Sequence, residues 1–306
     1  MIEFKEKHFY GGWENCLHLS NGNIELVATT DIGPRIIRFG FQGQQNLFRE
    51  LEDQIGKTGG DDFRLYGGSR FWHAPEADPR SYFPDNEPVE YEWDGSTIKL
   101  LQKVESTTGM QKEMLVKMDP EEDKVSLTYR IYNKNLWDTK LAPWALTVMN
   151  LGGRAILPQE PFESWEKKLS PVRPMVLWGY TAMDDPRWIW GRKYIQLKQD
   201  RNEKIRQKIG LLNKQGWAAY NLGEDLFIKR YGFDPDASYT DFGVNTEIYT
   251  DRDILEVETL GRYDDIEPGG CAEHKENWYI FKARPGEDED SIDSIVMPLV
   301  KKTELP

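Results

Sequence analysis

Val244-Asn245-Thr246-Glu247-Ile248-Tyr249-Thr250-Asp251-Arg252-Asp253-Ile254-Leu255-Glu256-Val257-Glu258-Thr259-Leu260 reads as two short strands joined by a turn at Asp251-Arg252. Side chains alternate across a strand, so Leu255, Val257 and Thr259 share one face while Glu256 and Glu258 share the other. On the preceding strand Asn245, Glu247 and Tyr249 likewise share a face. Two carboxylates pointing the same way from an aliphatic strand are costly unless that face is wet or partnered. The face is either the solvated side of an ordinary antiparallel strand or the wall of a polar site.

Outward from this hairpin the same period-two alternation dominates, and amphipathic helical runs are scarce. Leu17-His18-Leu19, the turn pair Asn21-Gly22 and residues 24–27 carry a hairpin signal, and residues 35–41 follow Gly33-Pro34 as a further strand. Residues 89–93 and 97–104 flank Asp94-Gly95; residues 110–118 and 124–132 flank Asp119-Pro120. Residues 141–151 are the most apolar run and are expected to cross the core. A long excursion is expected over residues 159–187, which carry several prolines and charges. Strands resume at 188–196, 208–212, 216–221 and 226–231, and residues 272–281 close the chain after Glu267-Pro268-Gly269-Gly270. The expected fold class is all-β and antiparallel. No linker or low-complexity stretch divides the 306 residues, so one domain over residues 1–306 is expected.

A net charge of −13 argues against nucleic acid, whose phosphates need a basic footprint. The 11 Trp and 14 Tyr suit a neutral polyhydroxylated ligand, because flat rings stack on C–H faces while carboxylates accept from hydroxyls. An anionic sugar stays open if Arg35, Arg64 and Arg70 converge. Cys16 and Cys271 form neither a disulfide framework nor a metal spacing, and free thiols are expected. Met1-Ile2-Glu3-Phe4-Lys5 lacks the apolar run of a signal peptide and no window is long enough to span a bilayer, so a soluble cytoplasmic protein without membrane partners is the expectation.

Tyr66-Gly67-Gly68-Ser69-Arg70-Phe71-Trp72-His73-Ala74-Pro75-Glu76 places a cation, an indole, an imidazole and a carboxylate close together behind a glycine pair. Adjacent glycines permit positive φ and close backbone approach, and Pro75 disfavours helix at Ala74. A loop lining a site is expected, the alternative being a loop whose Trp and His plug the end of a sandwich. His73, Glu76, Glu256 and Glu258 are metal-ligand types, but the short-range spacing of a metal motif is absent, so neither metal nor cofactor is expected. His18 is expected to be a half-buried packing residue and His274, among charged neighbours, to lie on a solvated face.

Three segments carry a resemblance to a known superfamily. They are Ile24-Glu25-Leu26-Val27 with Asp31-Ile32-Gly33-Pro34-Arg35-Ile36-Ile37-Arg38-Phe39, the Tyr66-Gly67-Gly68 segment, and Leu255-Glu256-Val257-Glu258-Thr259 followed by Pro268-Gly269 and Trp278-Tyr279-Ile280-Phe281. Together they resemble the galactose mutarotase-like, or aldose 1-epimerase-like, β-supersandwich. The resemblance implies a sugar or oligosaccharide ligand and acid–base chemistry at its anomeric centre, with Glu258 as the base. The family's histidine acid does not carry over: Pro143-Trp144-Ala145-Leu146-Thr147-Val148-Met149-Asn150-Leu151 has no titratable group. His73 is therefore the expected substitute acid, with Glu256 tuning the pair and Arg35, Arg70, Trp72, Glu76, Asn245 and Glu247 holding the sugar. Two alternatives stand beside an epimerase: a glycan lyase or hydrolase on the same scaffold, and a non-catalytic sugar-binding protein.

Overall fold

The computed structural model describes residues 1–306. Its strands pair antiparallel throughout, in two sheets. The first has eleven strands, ten of them in the order Glu3–Tyr10, Trp13–Ser20, Ile24–Thr29, Arg35–Phe41, Gly68–Ala74, Thr139–Met149, Leu255–Leu260, Thr246–Thr250, Gln207–Leu211 and Met175–Leu177. Asp264–Ile266 joins it beside the start of Thr139–Met149. The second has ten, in the order Trp188–Trp190, Tyr194–Lys198, Arg154–Pro158, Trp217–Leu222, Asp225–Tyr231, Cys271–Lys282, Lys124–Asn133, Met110–Met118, Ile98–Leu101 and Glu90–Trp93.

The facing sides of the two sheets bury one cluster of 44 apolar residues, drawn from both. At its centre Phe39 and Phe48 meet Phe227 and Trp278, with ring centroids 5.3 to 6.2 Å apart. Such aromatic pairs add about 0.5–1.5 kcal/mol each beyond area burial. This is an antiparallel β-sandwich, the all-β class read from the alternation.

The structure corrects the sequence at several elements. Gly68–Ala74 is a central strand rather than a loop, buried along its whole length and paired with Thr139–Met149. Because it is covered on both faces, it shows no clean polar–apolar alternation. The glycine pair serves the crossing of backbones: a Cβ on Gly67 would lie 1.9 Å from the Arg49 carbonyl oxygen and one on Gly68 2.2 Å from that of Ile36, at φ of +103° and +69°. Residues 188–196 fold back as Trp188–Trp190 against Tyr194–Lys198. The unassigned C-terminal run Glu289–Val300 is helical: Asp288 accepts from the Ser291 N–H, and Ile292, Val296 and Val300, four apart, pack on the outside of the second sheet. Cys16 and Cys271 are both free. No helix is long and apolar enough to cross a membrane.

Candidate active site

The middle of the first sheet carries a site on its outer face, because five neighbouring strands each turn alternate residues away from the core. Arg70 and Trp72 project from Gly68–Ala74, Trp144 and Leu146 from Thr139–Met149, and Glu256 and Glu258 from Leu255–Leu260. Tyr249 and Lys208 continue the row on the next two strands. Register fixes the juxtaposition: Leu146 faces Arg70 on one side and Glu258 on the other, while Trp144 faces Trp72. These side chains floor a cavity of about 400 Å³. Its opposite wall comes from irregular segments through Phe63, Glu76, Tyr82, Trp178 and Tyr180.

An aromatic cluster shapes one end. Phe63, Trp72, Tyr82 and Trp144 meet edge to face with centroids 5.1 to 5.6 Å apart, and the Tyr82 hydroxyl donates to Glu76. Arg70 lies over the Trp72 ring at 4.6 Å and donates to Glu256 Oε1 at 3.0 Å. At the other end Lys208 Nζ sits between the faces of Trp144 and Trp178, 4.7 and 4.8 Å from their centroids.

Glu258 is the most constrained of these groups. Its Oε2 accepts from Trp144 Nε1 at 2.9 Å and Lys208 Nζ at 3.0 Å, whereas its Oε1 is buried without a partner. Burial raises its carboxyl, the Lys208 ammonium opposes that and the Glu247 charge adds to it, leaving a pKa of about 7. Burial also raises Glu256, against the pull of Arg70. Lys208 is held well above its ordinary value: burial opposes its charge, but Glu247 and Glu258 outweigh burial.

The structure thus brings Glu258, Glu256, Arg70, Trp72 and Glu76 to one cavity and sends four sequence-selected residues elsewhere. His73 is adjacent to Trp72 and so lies on the opposite face of the same strand. Its Nε2 is 3.6 Å from Glu105 Oε2, in a buried group completed by Lys112, and it lines a separate cavity beside Arg80 and Met110. Burial lowers its pKa. The expected shared cavity for His73 and Glu258 is therefore not formed, nor is a grouping of His73 with Glu76, Glu256 and Glu258. Arg35 is fully buried and donates to the Leu65 and Gly67 carbonyls and to Asp85, bracing the chain before the Gly68–Ala74 strand. The Asn245 side-chain amide accepts from the Asn213 N–H and donates to the Asn213 carbonyl, and Glu247 lies behind Lys208 at 2.7 Å without reaching the cavity. His274 is not solvated: it is buried between the sheets, 2.8 Å from Thr259 Oγ1.

Lys208, Trp144, Trp178 and Tyr180 were not singled out from sequence. Lys208 carried a signal, since it precedes Ile209 and Leu211 in an alternating strand as a lone cation on the polar side. Trp144 sits in an apolar run and reads as core. Trp178 and Tyr180 fall in the irregular excursion, where periodicity gives no orientation.

The sequence matches no family model and no curated protein. Solved structures do match. A TPR-domain containing protein from Parabacteroides distasonis aligns with a TM-score of 0.58 and 13% identity over 89% of this chain, which spans only 48% of that one. An Escherichia coli protein assigned provisionally as an aldose 1-epimerase gives 0.55 and 11% over 92% of this chain and 100% of its own. A galactose mutarotase-like protein from Clostridium acetobutylicum gives 0.54 and 9% over 92% and 98%. The chain has the galactose mutarotase-like β-supersandwich fold. At these identities the likeness defines architecture, and the chemistry must come from the cavity itself.

Proposed function

We propose that this protein binds a free sugar in the cavity floored by Arg70, Trp72, Trp144 and Glu258 and interconverts its anomers. The observation that carries this is Glu258 itself, a buried carboxyl group that lines an aromatic cavity, with one oxygen fixed by Trp144 and Lys208 and the other without a hydrogen-bond partner. In the proposed reaction Glu258 takes the proton of the anomeric hydroxyl as the C1–O5 bond breaks and C1 becomes an aldehyde. With His73 turned away, the proton for O5 falls to Lys208, the cation hydrogen-bonded to that carboxylate. Rotation about C1–C2 and reclosure run the transfers backwards, so the protein is unchanged. Trp72, Trp144 and Trp178 offer stacking faces, and the Arg70–Glu256 pair offers donors and acceptors to ring hydroxyls.

The test is exchange NMR or polarimetry on a panel of free aldoses, beside calorimetric titration. Anomer exchange above the spontaneous rate is expected for at least one aldose. A second reading, a non-catalytic sugar-binding protein, is favoured by the run Pro143 to Leu151, which holds no histidine before Asn150-Leu151, where the resemblance implies the family's acid. Affinity without faster exchange would select it. His73→Gln is expected to leave exchange within about twofold of wild type while lowering stability by about 1–2 kcal/mol, the cost of disturbing a buried polar partner. Loss of exchange in a folded His73→Gln protein would instead return the acid role to His73.

A further inference from the structure

Glu247 and Glu258 are directly opposed across the antiparallel pair Thr246–Thr250 and Leu255–Leu260. Like charges in that relation repel, and here both are buried. One ammonium serves both: Lys208 Nζ lies 2.7 Å from Glu247 Oε2 and 3.0 Å from Glu258 Oε2. The remaining oxygens, Oε1 of each, are buried with no hydrogen-bond partner. Two ionised carboxylates on one lysine would leave a surplus negative charge and two orphaned acceptors in a dry place, which is the most expensive arrangement available.

No cation other than Lys208 pairs with either carboxylate. Arg70 is committed to Glu256 at 3.0 Å, and Lys229, on the inner side of the sheet, to Glu276 at 3.1 Å. Arg206 is exposed, beside Tyr249. The acidic neighbours worsen it: Asp241 adds negative charge near Glu247, and Glu76 lines the same cavity as Glu258. One additional proton makes the group neutral.

We infer that Glu247 and Glu258 hold a single proton between them across Lys208, and that Glu247 is the positioning residue that sets the charge of Glu258. Glu247 does not reach the cavity, so it acts through Lys208 and Glu258 rather than on a ligand. The direction of both carboxyls, raised by burial, agrees with this sharing. The group then titrates as a unit, with two macroscopic steps that belong to the pair. The kinetic consequence rests on the proposed role of Glu258 as base; the shared proton does not.

The experiment is a pH titration of protein carrying ¹³C-labelled glutamate carboxyls, with Glu258 assigned by loss of its signal in Glu258→Gln. In wild type two separated steps are expected, the upper one, seen at Glu258, at about pH 7, with the singly protonated pair predominating below it. In Glu247→Gln a single step is expected for Glu258, moved down by about one pH unit or more, a tenfold change in proton concentration. Glu247→Asp should restore two steps. An unmoved Glu258 step in Glu247→Gln, or a wild-type pair fully ionised below pH 5, overturns the inference. If Glu247→Gln does not fold, the wild-type titration alone decides by the same criterion. The acid limb of anomer exchange should move with the Glu258 step; a correct titration with no exchange at any pH would overturn the enzymatic role and leave the proton sharing intact.

Discussion

Glu258→Gln is expected to reduce anomer exchange by roughly 10²- to 10⁴-fold, the range that one positioned acid–base group contributes. Glutamine keeps the volume, and its amide oxygen can still accept from Trp144 and Lys208, so a loss of rate reports a lost base rather than a lost fold. Stability adds a check of opposite sign. Burial, moderated by Lys208 and reinforced by Glu247, raises the folded carboxyl from an ordinary 4.5 to about 7. A raised carboxyl contributes stability that is full below about pH 4.5 and is lost as pH climbs through 7. Gln cannot ionise, so the variant should match or exceed wild-type stability at pH 8. Catalysis runs the other way, since the base must be ionised: wild-type exchange should rise with pH through about 7 and then level, while the variant's residual rate stays flat. Polarimetry across pH 5 to 9 with thermal unfolding on the same samples measures both. Wild-type rates in a folded Glu258→Gln protein would end the assignment.

The hairpin with Glu256 and Glu258 on one face was readable because strand alternation is a strict period and a turn pair separates its halves. What lies across from those carboxylates was not. Lys208 is almost fifty residues upstream and reaches them only because Gln207–Leu211 pairs with Thr246–Thr250, a non-local choice that no short pattern encodes. The Gly67–Glu76 segment fails differently. Its glycines, arginine, tryptophan and histidine imitate a loop because the strand has a cavity-facing side and a core-facing side, both buried. Assigning it as a loop erased the parity that separates Trp72 from His73. Arg35 and Asn245 show the common confusion of a buried polar residue that braces backbone with one that binds a ligand.

Lys229→Met should be the most destabilising of the substitutions considered, by about 3–5 kcal/mol, because it leaves a carboxylate buried without its cation. Lys229, on the second sheet, lies 3.1 Å from Glu276 Oε1 and donates to Thr147 Oγ1 at 2.7 Å and to the Val257 carbonyl at 3.1 Å on the first. Burial would raise Glu276, but Lys229, His274 and Thr259 outweigh it and bring the pKa to about 2. A depressed carboxyl contributes stability above its ordinary 4.5 that is lost as pH falls toward 2. Without the lysine that depression goes, so the deficit of Lys229→Met should be greatest at neutral pH and shrink below about pH 4.5, where Glu276 takes up a proton. Lys229→Met with Glu276→Gln should recover much of the loss, since the neutral amide needs no counter-charge. Denaturant unfolding at pH 7 and pH 4 measures each term, and a deficit under about 1 kcal/mol at pH 7 would count against the ion pair. The place of the pair explains why an apolar core holds it. Val257 lies between Glu256 and Glu258, and a one-residue slip of that strand would turn both carboxylates into the core. A charged clamp on the Val257 carbonyl, itself locked to Glu276 on the opposite sheet, ties the register of the site to the packing of the sandwich.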